Sequence, residues 1–415
     1  MLSIPDHSFG MGDRFAQEGR AQLSAIIRAK QQGLDICPVW NKSHREHTIV
    51  GSSPLDLRAE ADQAVHACGW DQPYFVDADH INLKNVEHFL PASDFYTIDV
   101  ADYTGQPADP DASQAFEKSM EPYLGTVKIP GIEESLVLSS AAIQAAANKF
   151  LLAILEAGKI YHHIAATKGE DQFVAEVSVD ETTTPQTPLE LFLILAMIAQ
   201  QGIKAQTIAP KFTGSFFKGV DYVGDLAAFE KEFDQDLCVI KFAISQFGLP
   251  NNLKLSVHSG SDKFSLYPII NRLIKEHSAG LHVKTAGTTW LEEVIGLAEA
   301  GGAGLNLAKE IYNTAYPLAD DLIAPYAPVV NITPSQLPTP EAVTAWSSEE
   351  FVATLRHDQT NQSYAPQFRQ FVHVSFKIAA KMGDRFMSAL QEHRDAIERN
   401  VTHNLLERHI KPIFA

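Results

Sequence analysis

The sequence predicts a (β/α)₈ barrel carrying insertions, and three observations point there. Short β-branched or aromatic runs alternate with longer helix-like stretches, the signature of a parallel α/β architecture. Eight such runs can be picked out, the number a closed barrel needs. Polar and ionisable residues gather where these runs end, which is where a barrel of this kind places its reactive groups.

In chain order the predicted strands are Asp35 to Trp40, Tyr74 to Asp77, Phe95 to Val100, Phe173 to Val179, Ala205 to Ile208, Lys254 to His258, Leu281 to Lys284 and Val372 to Phe376. Between them, Ser139 to Tyr161, Pro188 to Gln201, Leu226 to Phe247 and Ser265 to Glu276 repeat apolar residues at three and four positions, with Gly at the ends, as helices do. Gln106 to Pro130 is rich in Pro, Gly, Asp and Ser, and Asn331 to Ser348 carries Pro334, Pro338 and Pro340, so both read as insertions in a single decorated domain spanning residues 1–415. The string Met11-Gly12-Asp13-Arg14-Phe15 recurs as Met382-Gly383-Asp384-Arg385-Phe386. A shared helix-capping role for the two aspartates explains it more simply than a carboxylate-gripping role for the two arginines.

Composition narrows the function classes. The 415 residues are 45% hydrophobic and 20% charged, values of a globular protein with a large core. A formal net charge of -18 lacks the basic footprint of a nucleic-acid or anionic-lipid binder, so an anionic substrate would need a local basic cluster. Three cysteines without CxxC spacing suggest neither a disulfide framework nor a zinc finger, and a reducing compartment. The first twelve residues carry Asp6, His7 and Gly10 where a signal peptide needs an apolar stretch, and no long apolar run occurs. A soluble cytoplasmic protein is expected, with a homo-oligomer allowed.

The chemistry concentrates at predicted strand ends. Asn41-Lys42-Ser43-His44-Arg45 reads either as a mixed-charge surface loop or as a substrate-binding loop. Asp77-Ala78-Asp79-His80-Ile81-Asn82 offers carboxylates and an imidazole for a divalent metal or for acid/base work. Glu176 and Asp180 lie in a β-branched strand that should be apolar on both faces, so they need partners or a metal, and Glu181 at the tip is a further oxygen donor. His258 closes a strand ahead of Ser259-Gly260-Ser261-Asp262-Lys263, and Lys211, His282 and Lys284 extend the pattern to two more strands. His373 and Lys377 add a last position with a core role equally open. Hard oxygen donors with imidazole and no thiolate suit Mn²⁺, Zn²⁺, Fe²⁺, Co²⁺ or Ni²⁺ without choosing among them. No dinucleotide, P-loop or nucleophile-elbow motif is present.

Several strings resemble those of the tagaturonate epimerase family, which includes enzymes acting on tagatose and fructose at C4. They are Ser8-Phe9-Gly10-Met11-Gly12-Asp13-Arg14-Phe15, Asp77-Ala78-Asp79-His80-Ile81, Val179-Asp180-Glu181-Thr182-Thr183, Ser256 to Phe264 and His282-Val283-Lys284-Thr285-Ala286-Gly287. The resemblance implies interconversion of D-tagaturonate and D-fructuronate in hexuronate catabolism, on a barrel holding a divalent metal. A looser similarity to class II aldolases covers Asp79-His80 and His258-Ser259-Gly260-Ser261, but Ala209-Pro210-Lys211 lacks the further ligand histidine of that pattern. The two ketose acids differ at the carbon β to the ketone, whose C–H that carbonyl does not acidify, so retro-aldol cleavage and re-addition is the expected route. On this reading His80, Glu181 and His258 hold the metal, with His282 in reserve as third ligand. Asp79 and Asp262 move protons, and Lys42, Arg45, Lys211 and Lys284 contact a keto-uronate or neutral ketose. A metal-dependent aldolase that releases its fragments, and a non-catalytic sugar-acid binding protein, are the alternatives.

Overall fold

In the computed structural model, residues 2–180, 182, 184–258, 262–285 and 287–415 are described. Eight parallel strands close into a barrel in sequential order: β1 (His7–Gly12), β2 (Cys37–Ser43), β3 (Phe75–Ile81), β4 (Phe95–Asp99), β5 (Val174–Ser178), β6 (Ala205–Ala209), β7 (Lys254–His258) and β8 (Leu281–Thr285), with β8 pairing back onto β1. Helices surround it. The helix Leu226–Phe247 lies where the apolar periodicity put it, and Pro188–Gln200 is opened by a Thr187/Glu190 capping box with proline in its first turn.

One predicted strand is corrected. Val372 to Phe376 is the end of the helix Pro366–Val374, followed by the helix Phe376–Lys381. The eighth strand is instead β1, whose sequence His-Ser-Phe-Gly-Met-Gly has no β-branched residue to announce it. Of the two segments read as insertions, Gln106 to Pro130 contains the helix Pro110–Met120 and the strand Gly125–Val127, which pairs with Leu136–Leu138 in a small antiparallel sheet, and Asn331 to Ser348 contains the helix Pro340–Ala345. Among the described residues, no helix is long and apolar enough to cross a membrane.

Alternation along each strand separates two environments. Outward residues such as Phe9, Met11, Trp40, Val76, Tyr96 and Val257 join the helices in the main core. Inside the barrel, Cys37, Val39, Phe75, Phe95 and Val174 form a separate apolar plug with Ile4. Two residues farther along, the inner face turns polar at Asp77, Thr97 and Glu176, and two farther again it reaches Asp79 and Asp99. The barrel is therefore sealed below and charged above.

The repeated pentapeptide brings its two copies together, with Phe15 packed on Phe386 at 4.7 Å between ring centroids. Their aspartates do different work. Asp13 accepts the backbone N–H groups of Phe15, Ala16, Gln17 and Glu18 at 2.6–3.0 Å, fixing the turn ahead of the helix Gly19–Gln31. Asp384 is already the first residue of its helix and makes no side-chain cap, so shared capping does not account for the repeat.

Candidate active site

The C-terminal ends of β3, β4, β5, β7 and β8 converge on one charged cluster. Lys284 is its fixed cation: its ammonium lies 2.7 Å from Asp77 Oδ2, 2.5 Å from Asp79 Oδ1 and 3.5 Å from Glu176 Oε1, and donates to Thr97 Oγ1 at 2.6 Å. Burial works against the charge of Lys284, but these carboxylates outweigh it and raise its pKa. The same contact holds Asp79 ionised at a pKa of about 2 against the effect of burial, while deeper Asp77 is pushed up to about 7 by burial. Gly10 of β1 makes room for this lysine: a Cβ there would lie 3.0 Å from Lys284 Cγ.

His258 sits between two carboxylates, with Nε2 2.7 Å from Glu176 Oε1 and Nδ1 3.0 Å from Asp180 Oδ2. Burial opposes its positive charge, but Asp180 and Glu176 raise its pKa to about 10. His80 approaches Asp99 Oδ2 at 3.6 Å and Asp79 Oδ1 at 3.7 Å, and its ring meets that of His258 edge-on at 5.4 Å. Asp79, followed by Asp99, raises it to about 9 in spite of burial. His80 also has φ of 55°, a left-handed conformation that a histidine rarely adopts and that strained functional positions often do.

The expected site residues divide. Asp79, His80, His258 and Lys284 are brought together, whereas Glu181 lies outside the described residues. His282 points into the barrel two residues below Lys284, with Nδ1 2.8 Å from Ser8 Oγ and its ring against Phe95. Burial lowers its pKa to about 3, so it is a neutral interior histidine.

Three of the expected residues have their polar atoms turned to other groups of the chain. Lys42 falls on the outer face of β2, one residue out of phase with inward Asn41, and its ammonium donates to the Arg14 carbonyl at 2.6 Å. Asp262 is fully buried and bonded to Arg369 Nη2, with His357 and His409 each 3.2 Å away. Among the described residues its side chain is enclosed. The Lys284 ammonium is spent on internal carboxylates. Lys211 stands half-buried just beyond β6, where its backbone N–H donates to Gln186 Oε1 at 2.6 Å. Arg45 is exposed on the helix His44–Val50, its guanidinium 5.1 Å from the Tyr326 ring centroid.

Two groups were not expected here. Asp99 ends β4 and faces His80, and the strand-end rule applied to Phe-Tyr-Thr-Ile-Asp would have found it. Lys218 lies in the long connection after β6, far from any strand end, and no sequence signal marks it.

Carboxylates with imidazoles are donor types that suit a divalent cation. Asp77, Asp79 and Glu176 surround one fixed cation, Asp99 faces His80 and Asp180 faces His258, and the two imidazoles supply further positive charge only by being protonated. His80 Nδ1 is moreover buried, with Asp99 Oδ2 at 3.6 Å. Elsewhere among the described residues, Asp234, Cys238 and His277 place ligand-type atoms within 4.8 Å of one another on outer helices, where His277 Nε2 already meets Asp234 Oδ1 at 2.6 Å.

Comparison with known proteins places this geometry. A family model described as tagaturonate epimerase matches residues 2–413. A tagaturonate/fructuronate epimerase of Thermotoga maritima is 28% identical, over 97% of this chain and 80% of the relative. Among solved structures, a glycerol complex of a fructuronate-tagaturonate epimerase from Cohnella laeviribosi superposes with a TM-score of 0.81 at 24% identity, covering 98% of this chain and 81% of that one. The native form of the same enzyme gives 0.80 at 23% identity, with the same coverage. These two structures bear on the fold alone. The family match over residues 2–413 shows that the chain is an isomerase belonging to the tagaturonate epimerase family.

Proposed function

We propose that the chain interconverts D-tagaturonate and D-fructuronate at the mouth of the barrel, with a divalent metal, by opening and re-forming a carbon–carbon bond. The observation that carries this reading is the convergence of Asp79, His80, Asp99, Glu176, Asp180 and His258 on one charged cluster in a chain of this family. His80, His258 and Glu181 are the proposed metal ligands, and Glu176 and Asp180, which His258 touches, are further oxygen donors. When bound there, the ion supplies Lewis-acid polarisation of the substrate ketone.

The chain's own residues do the rest. Asp79, kept ionised by Lys284, accepts the proton of the β-hydroxyl as the bond between the α and β carbons opens. The electron pair of that bond passes to the ketone side, and the β carbon becomes an aldehyde. The aldehyde turns its other face, the bond re-forms, and the proton returns to the new hydroxyl. No C–H bond at the inverted carbon is broken, which suits a carbon that the ketone does not acidify.

Metal removal tests the reading. Treatment with EDTA is expected to abolish conversion of D-tagaturonate, followed by NMR, and Mn²⁺, Ni²⁺ or Zn²⁺ to restore it. An unchanged rate after exhaustive chelation would remove the metal from the mechanism. Binding of the sugar acid without conversion, whatever the metal, would overturn the epimerase reading.

A further inference from the structure

Around the rim, on the side of β1 and β2, lies a basic cluster that the charged centre does not use. Arg14, Arg45, Lys218 and Lys377 gather there from four separate segments, in a chain whose net charge is -18. Glu46 is the carboxylate among them, and it is committed to Arg14, whose Nε lies 3.1 Å from Glu46 Oε1. Arg14 is otherwise occupied by the His373 carbonyl at 3.0 Å and by the Phe376 ring beneath its guanidinium. Arg45 and Lys377 stand over the Tyr326 ring at 5.1 and 5.0 Å.

Lys218 differs from the others. It is half-buried, and no hydrogen bond or ion pair joins its ammonium to any described residue. Burial depresses its pKa, and Arg14 and Arg45 depress it further, while Glu46 and Asp79 act in the opposite sense. Gly219, next to Lys218, packs against His373, whose carbonyl Arg14 binds, and Arg14 in turn meets Glu46 just beyond Ser43, which pairs with Asp79, so the basic cluster borders the reacting centre.

The backbone that carries Lys218 is tied down on every side. Its own N–H donates to the Val329 carbonyl at 2.8 Å. The Lys263 ammonium binds the carbonyls of Phe217 and Val220 at 2.8 and 2.7 Å, and Arg369 Nε binds that of Gly219 at 2.7 Å. Gly219 itself has φ of 75°, which favours glycine. Arg369 is in turn held by fully buried Asp262. A short stretch fixed by two buried cations, presenting one unpaired ammonium, is a preorganised receptor for an anion.

We propose that Lys218, supported by Arg45 and Lys377, receives the carboxylate of the sugar acid and so sets the preference for a uronate over a neutral ketose. The inference rests on the uronate reading above. Arg14 contributes charge and position, since its Nε and Nη1 are already engaged by Glu46 and the His373 carbonyl.

The test compares the wild type with Lys218→Ala and Lys218→Arg, using D-tagaturonate and the neutral ketose D-tagatose as substrates and calorimetric binding of D-tagaturonate as a second readout. Loss of one charge-assisted contact should raise KM and Kd for the acid by roughly 10- to 100-fold. The preference in kcat/KM for the acid over the ketose should fall by a similar factor, with Lys218→Arg recovering part of it. An Ala variant that binds the acid as the wild type does, or loses both substrates equally, would overturn the assignment. Should the wild type convert neither substrate, the epimerase reading fails by itself, and calorimetry still decides the subsite: tight binding lost in Lys218→Ala supports it, and absence of binding to the wild type refutes it.

Discussion

Replacing Lys284 with methionine is expected to lower the unfolding free energy by roughly 3–5 kcal/mol, the usual cost of removing one partner from a buried ion pair. Methionine keeps an unbranched apolar stem one atom shorter than that of lysine, so the packing of Cγ beside Gly10 survives and the lost charge dominates what is measured. Asp77, Asp79 and Glu176 would then share the inner face with no fixed cation. Their pKa values in the folded variant would rise above the unfolded ones, so the stability lost relative to the wild type should be smallest at acid pH and grow as pH rises through the raised values. Denaturant unfolding of both proteins between acid and neutral pH reads this directly. A loss that is small and independent of pH would mean that the carboxylates do not depend on Lys284.

Replacing His258 with asparagine is expected to reduce turnover by roughly 10²-fold or more, because it removes one of the proposed metal ligands, and loss even of the groups that orient such ligands costs roughly 10- to 100-fold. Asparagine can still donate to one of the carboxylates that His258 separates, Glu176 or Asp180, which keeps that buried pair from being wholly orphaned. The circular dichroism spectrum and a cooperative thermal transition should therefore persist. Near-normal turnover in a folded variant would take His258 out of the chemistry.

Much of the barrel was legible because parallel strands buried on both faces are short runs rich in β-branched or aromatic residues, as in Phe95–Asp99 and Val174–Ser178. β1 escaped because its inner face carries Ser8 and Gly10, residues chosen for what stands opposite them: Ser8 meets His282, and Gly10 leaves space for Lys284. Val372 to Phe376 misled in the other direction. Its alternation of Val, His, Val, Ser and Phe imitates a strand, yet buried Arg369, Phe371 and Val372 belong to a helix enclosed by its neighbours.

The site shows a similar division. A strand end says that a side chain is near the mouth, but a shift of one residue decides which face it takes, and that sends Lys42 toward the helices while Asn41 points inward. Asp262 and Lys263 follow His258 closely, yet the chain turns there with Asp262 at φ of 56°, and both side chains run outward into buried networks. They hold the Lys218 segment through Arg369 and through direct bonds to its carbonyls. Long-range ties of this kind leave no local pattern to read, which is why Lys218 could be found only in the folded chain.

The most direct measurement is conversion of D-tagaturonate by the metal-loaded enzyme in D₂O, followed by proton NMR. Carbon–carbon cleavage and re-formation leads to D-fructuronate that retains protium at the inverted carbon. Deuterium at that carbon, or three-carbon fragments accumulating with no fructuronate, would contradict it.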